Sequence, residues 1–195
     1  MKSKNVIFTG ANSGIGKAAA MQFAKANYNV IMACRDMELS RNVQKEIVEE
    51  SGNKNIDLMQ VDLSSFTSIR TFCTEYIKKY EKLDFLIHNA AYFNHGEKYQ
   101  LSPDHIELTF ATNVFGPYLM TTLLLDSLKK SDDPRILHAS SNIIKHFFDK
   151  KSEIHFDNLL GEYKDSRSYS VYKIFSQSKM ALVMLTFKMA EMYKE

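Results

Sequence analysis

The stretch Val6-Ile7-Phe8-Thr9-Gly10-Ala11-Asn12-Ser13-Gly14-Ile15-Gly16 decides how this chain is read. Its first three residues make a short buried strand that ends at Gly10. Ile15, Ala18, Ala19, Gln22, Phe23 and Ala26 then recur at helical spacing over 15–26. Between strand and helix lie Gly10, Gly14 and Gly16, with Asn12, Ser13 and Ile15 in the gaps. A helix start presents unpaired N–H groups and the positive end of the helix dipole, which suits a dinucleotide's pyrophosphate. Glycine there tolerates positive φ and lets the backbone reach phosphate without a Cβ in the way. A tight turn between strand and helix would use glycine too. The placement, directly after a strand and at a helix start, favours nucleotide binding.

Outward from this loop, strand-like and helix-like segments alternate. Further strands are predicted at 30–34, 56–61, 83–88 and 135–139, and further helices over 37–50, 65–80, 103–130 and 169–193. Ser64 or Ser65 reads as the N-cap of the 65–80 helix, and Ser102 as a cap before Pro103 at the first position of the 103–130 helix. Short apolar strands alternating with helices describe βαβ units and a parallel sheet buried on both faces. The fold expected is α/β: a Rossmann-type doubly wound parallel sheet in three αβα layers, one dinucleotide-binding domain over 1–195.

Composition narrows the function classes. Apolar residues at 45% and charged residues at 25% are those of a soluble globular chain, and a net charge of +2 is too small to argue for nucleic acid or an anionic membrane. Lys and Glu are scattered as solvated helix faces. Cys34 and Cys73 have no metal or redox spacing and read as free thiols in a reducing compartment. Met1-Lys2-Ser3-Lys4 leads straight into a strand with no signal-peptide core, and the apolar run 180–187 is far shorter than the roughly 20 residues a span needs. A soluble, cytoplasmic protein is expected, without membrane attachment. His88, His95, His105, His138, His146 and His155 are dispersed, so no metal site is expected. Met180, Met184, Met189 and Met192 read as core or interface packing.

Thr9-Gly10-x-x-x-Gly14-Ile15-Gly16 resembles the cofactor loop of the short-chain dehydrogenase/reductases, and further motifs of that family recur in order. Asp62-Leu63 is similar to the acidic segment that contacts adenine, and His88-Asn89-Ala90-Ala91 to the Asn-Asn-Ala-Gly segment after the fourth strand. Asn113 resembles the Asn that supports the family's proton relay, Ser140-Ser141 the Ser pair whose second member polarises the substrate, and Lys179 the Lys of Tyr-x-x-x-Lys. Ala33-Cys34-Arg35-Asp36 and Ile154-His155-Phe156-Asp157-Asn158-Leu159 resemble the retinol-dehydrogenase-like branch. That branch implies carbonyl reduction or alcohol oxidation on a small apolar substrate such as a retinoid. The resemblance implies a nicotinamide dinucleotide as cofactor. Arg35 can pair with a ribose 2′-phosphate, which points to NADP; Asp36 beside it keeps NAD open.

Two features depart from the family pattern. Phe175 stands four residues before Lys179, in Phe175-Ser176-Gln177-Ser178-Lys179, where the family carries its proton-exchanging Tyr. Tyr172 lies almost two helical turns before Lys179 and would have to fold back to serve. The chain also stops at the end of the Lys179 helix, where family members continue. It therefore reads as a piece of a longer protein or as a truncated product with its fifth strand an exposed apolar edge. The leading expectation is an NAD(P)(H)-dependent oxidoreductase acting on CH–OH groups, with impaired catalysis. The competing ones are a non-catalytic dinucleotide-binding or interaction module and a gene product without a selected role. A homodimer is expected through helices 103–130 and 169–193. Phe115, Tyr118, Leu119 and Leu123 on one, and Phe175, Met184 and Phe187 on the other, exceed what one buried stripe requires.

Overall fold

The computed structural model describes residues 3–95, 99–145, 154 and 170–193. Contiguity of contacts divides the chain into two compact units. One comprises Met1–Asp62, Thr67–Ala90 and Leu119–Ala139; the other comprises Leu63–Phe66, Ala91–Tyr118 and Ser140–Glu195.

The first unit holds a parallel sheet of five strands: β1 (Asn5–Thr9), β2 (Asn29–Cys34), β3 (Ile56–Gln60), β4 (Phe85–His88) and β5 (Arg135–His138), in the order β3-β2-β1-β4-β5. Helices α1 (Gly14–Lys25), α2 (Met37–Ser51) and α3 (Phe66–Lys79) make the crossovers. This is the Rossmann-type α/β arrangement the alternation predicts. All five residues of β1 and the last five of β2 are buried, which is why these strands read as continuous apolar runs rather than alternating ones. Val6, Phe8, Val30 and Met32 turn one face toward Ala20, Met21 and Ala24 of α1 and toward Val43 and Ile47 of α2. The Phe8 ring meets Phe23 edge-on at 5.2 Å. Burying each such side chain contributes on the order of 1.5–3 kcal/mol.

The chain builds outward from β1 to β3 on one side, then returns to add β4 and β5 on the other. The strand order therefore reverses beside β1, and in doubly wound sheets ligands bind at the carboxyl ends of the strands at that point. There β1 runs into the Gly10–Gly16 loop. β5 is an edge strand among the described residues, with Leu137 about half exposed.

The second unit departs from expectation at the start of its long helix. The turn at 103–107 is not helical. Ser102 Oγ accepts from the Asp104 and Ile106 N–H groups, His105 sits at φ 60°, and Leu101 bridges to Glu107. The helical run begins as α4 (Leu108–Phe110), capped by the buried Glu107, whose carboxylate accepts from the Phe110 N–H at 2.9 Å. Ser102 before Pro103 matches a helix start in sequence, but here its hydroxyl closes a local turn instead. A π-helical turn follows over Ala111–Phe115, and α5 runs over Gly116–Lys129. The cause of the π turn is local. Pro117 has no N–H to give to residue 113, and the Gly116 N–H reaches back to the Ala111 carbonyl. Gly116 also lies so close to the Leu63 carbonyl that a Cβ would come within 2.3 Å of it. The last helix, α6 (Val171–Met192), is capped by Ser170, so the predicted bounds 103–130 and 169–193 become 108–129 and 171–192. By length and composition alone the 22-residue run Leu108–Lys129 could cross a bilayer; half of its most apolar stretch is buried within the protein, as in the core helix of a soluble fold. The sequence reading weighed only 180–187.

Candidate functional site

The loop after β1 is shaped by close contacts at Gly10 and Gly16 and by backbone that favours glycine at Gly10 and Gly14. Gly10 and Gly14 sit at φ 66° and 51°, where an L residue is strained. A Cβ on Gly16 would meet the Gly10 carbonyl oxygen at 2.3 Å and Asn89 Nδ2 at 2.4 Å. Asn89 donates its side-chain amide to the Thr9 and Gly10 carbonyls, both at 3.2 Å, and so ties the end of β4 to the loop. Thr9 Oγ1 accepts from the Asn89 and Ala90 N–H groups at 3.0 and 3.1 Å. Ser13 precedes α1 in extended conformation and makes no side-chain cap bond. Ser13, Gly14 and Ile15 are exposed, Ile15 at 83%, so the first turn of α1 faces outward with its dipole end.

The neighbouring corner lies at the end of β2. Asp36 caps α2, its Oδ1 accepting from the Leu39 N–H at 3.0 Å. Arg35 is exposed, and its guanidinium pairs with no carboxylate among the described residues. Asn12 donates to Ser40 Oγ at 3.0 Å. Asp62 follows β3 and donates its N–H to Ser68 Oγ at 2.9 Å. The first unit thus carries Gly10, Asn12, Ser13, Gly14, Ile15, Gly16, Arg35, Asp62, Asn89 and Ala90. Leu63 belongs to the second unit, where it is buried.

The second unit holds the remaining candidates. Asn113 lies within the π turn and is 1% exposed. Its amide oxygen accepts from the Tyr92 N–H at 2.7 Å, and its nitrogen donates to the Tyr92 carbonyl at 3.0 Å and to Ser178 Oγ at 3.1 Å. Ser178 in turn donates to the Phe175 carbonyl at 2.8 Å. Lys179 is 3% exposed, and burial pulls its ammonium pKa down to about 8. Its Nζ lies over the Phe175 ring, 5.8 Å from the centroid. Phe93 meets Phe175 edge-on at 5.0 Å and Tyr172 at 5.4 Å. Tyr172 is 66% exposed on the first turn of α6, so that helix does not start late. Ser141 caps a short 3-10 turn, Asn142–Ile144, and the Ile143 carbonyl accepts from Ser176 Oγ of α6 at 3.5 Å.

One pair escaped the sequence reading. His88 and His138 face each other across β4 and β5 with rings stacked 4.9 Å apart. His88 is buried, bonds Thr121 Oγ1 at 2.9 Å, and has its pKa pushed well below the usual value by desolvation and by His138. Strand register alone would have paired them; four residues of β5 are too few to set that register from sequence. Among the described residues no group of three metal-ligating side chains converges. His146, His155 and the segment after Ile154 lie outside the described residues.

Residues 4–150 match the family model "short chain dehydrogenase". The chain is 38% identical over 183 residues to retinol dehydrogenase 13 from Homo sapiens, covering 94% of this chain and 52% of that protein. It is 35% identical over 194 residues to retinol dehydrogenase 11 from Homo sapiens, covering 100% of this chain and 58% of the relative. It thus spans little more than half the length of these relatives. A protein from Mycobacterium paratuberculosis of 28% identity superposes with a TM-score of 0.80, over 98% of this chain and 63% of that one. A short chain dehydrogenase from Escherichia coli CFT073, solved in complex with NADPH, has the same fold at 22% identity and a TM-score of 0.73, over 97% and 71%.

Proposed function

Since the chain belongs to the short-chain dehydrogenase family, on its retinol-dehydrogenase-like branch, we propose that it binds a nicotinamide dinucleotide, NADP(H) in preference to NAD(H), and has lost most of the family's proton-transfer capacity. The observation that carries the binding half is the close packing of the loop at Gly16, where a Cβ would meet the Gly10 carbonyl oxygen at 2.3 Å and push the loop out of shape. The residues of the first unit fit the cofactor: the first turn of α1 for the pyrophosphate, Asp62 for the adenine, Asn89 and Ala90 bordering the loop; in the second unit, Lys179 is the residue that the family resemblance gives to the nicotinamide ribose. Bound, the nicotinamide would supply or take up the hydride. Arg35 favours a 2′-phosphate because its guanidinium is exposed, while the Asp36 carboxylate is already engaged as a helix cap.

Hydride transfer to a carbonyl requires a proton at the oxygen. Ser141 can hydrogen-bond that oxygen and Asn113 can brace α6 through Ser178, but the Phe175 ring cannot exchange a proton. Slow carbonyl reduction or alcohol oxidation on a small apolar substrate, the class named by the retinol dehydrogenase relatives, is the enzymatic reading. Phe175 equally favours a second reading, a dinucleotide-binding module without turnover. The chain self-associates as a homodimer on both readings, through α5 and α6, where Tyr118, Met184 and Phe187 are exposed at 40%, 50% and 70%. Calorimetric titration of NADPH into wild type and Gly16→Ala tests the binding proposal. Wild type binds and the variant does not; failure of wild type to bind either dinucleotide refutes it.

A further inference from the structure

Ser40 is a buried hydroxyl on the first turn of α2 that no resemblance and no motif singles out. It is 0% exposed. Its Oγ donates to the Asp36 carbonyl, the residue that caps α2 and follows Arg35. The same Oγ accepts from Asn12 Nδ2 at 3.0 Å, across 28 residues of sequence. One oxygen atom therefore joins the phosphate loop to the corner that carries Arg35. A third element meets them there. The Cys34 thiol, buried at the end of β2, has its pKa pushed up by desolvation, and Ser40 and the Ala11 and Asn12 backbone stand beside it. Loop, strand end and helix start thus share one small polar cluster.

A serine that bonds back to the carbonyl four residues earlier is common in helices and by itself positions nothing else. Here the hydroxyl's single proton is committed to Asp36, so its remaining capacity is as an acceptor, and Asn12 uses it. We propose that Ser40 is a positioning residue for the dinucleotide: it locks Asn12 to the Arg35–Asp36 corner, so that the loop and the 2′-phosphate contact are held at one fixed separation. This rests on the binding proposal above and deepens it. Loss of the hydroxyl leaves Asn12 without its acceptor and lets loop and corner move independently. The contact that needs both anchors at once, a dinucleotide with phosphates at both ends of its adenosine, suffers more than one that needs only the loop.

Two measurements test this, one without any cofactor. In the first, amide hydrogen exchange is followed at Ala11, Asn12 and Ser13 in wild type and Ser40→Ala. Exchange there quickens at least fivefold in the variant, while amides in the middle of β1 are unchanged; unchanged loop amides, or uniform quickening throughout the sheet, overturn the proposal. In the second, NADPH and NADH are titrated into wild type, Ser40→Ala, Asn12→Ala and the double variant. Ser40→Ala weakens NADPH about fivefold and NADH less than twofold, and the double variant is no worse than Asn12→Ala alone. Equal weakening of both cofactors, or additive losses, overturns the positioning role. Should wild type bind neither dinucleotide while loop exchange still responds to Ser40→Ala, the cofactor reading fails and the proposed role fails with it, though the mechanical link stands.

Discussion

The ammonium nitrogen of Lys179 lies 5.8 Å from the centroid of the Phe175 ring, on the same helix and one turn away. In the family pattern a phenol would occupy that ring's position, and the ammonium would lower its pKa toward the working range. Here the charge meets a ring face, an attraction on the order of 0.5–2 kcal/mol that carries no proton. On the reading proposed above, the helix keeps the lysine of a proton-transfer pair and carries Phe175 in its partner's place.

The first consequence concerns cofactor choice. Removing the guanidinium in Arg35→Ala weakens NADPH by on the order of 1.5–3 kcal/mol and leaves NADH nearly unchanged. Calorimetric titration of both dinucleotides reads this directly. Equal affinities of wild type for the two would remove Arg35 from the account.

The second concerns stability and pH. Lys179 titrates near 8 in the folded protein against 10.5 for the ordinary side chain. Between those values the unfolded chain binds a proton that the folded one does not, so stability rises with pH across that window and is lost again as pH falls. Below about pH 8 the penalty is constant, on the order of 3 kcal/mol, reduced by any attraction to the Phe175 ring. Lys179→Met therefore melts higher than wild type at pH 7, and the difference shrinks toward pH 10. A difference that holds steady or grows over that range contradicts the assignment.

The third concerns self-association. Phe187, the most exposed large apolar residue of α6 among the described residues, sits at 70% and costs the monomer nothing to replace. Sedimentation at tens of micromolar shows a dimer for wild type and a monomer for Phe187→Glu, both with the same melting temperature. A wild type that is monomeric throughout ends that proposal.

How much of this could be read from residues alone follows from where the physics is local. β1 and β2 were legible because burial on both faces demands unbroken apolar runs, and Val6-Ile7-Phe8 and Val30 to Cys34 supply them. The phosphate loop was legible because Gly10 and Gly14 need positive φ and Gly16 has no room for a Cβ. The 103–107 turn was misread because Ser before Pro serves a helix start and a closed turn alike; what decides is His105 in the left-handed region and the Glu107 cap. The π turn at Asn113 has a local mark in Pro117, which lacks an N–H, but it also sets Gly116 against the Leu63 carbonyl, a contact between segments far apart in sequence. Ser40 was missed for the same reason: its partner Asn12 is 28 residues away, and nothing in the helix pattern marks it.

The central claim is that the dinucleotide cradle persists while the proton donor is gone, and one comparison tests it most directly. Wild type and Phe175→Tyr are measured side by side for NADPH affinity and for NADPH oxidation with a panel of apolar aldehydes and retinoid-like ketones. Each variant is also tested fused to the C-terminal segment of a longer relative. A positioned proton donor is worth about 10²–10⁴-fold. The account predicts equal NADPH affinity in the two proteins and turnover at least about tenfold higher with Tyr restored. Wild type turning over as fast as Phe175→Tyr, with Tyr172 or a water supplying the proton, would contradict it.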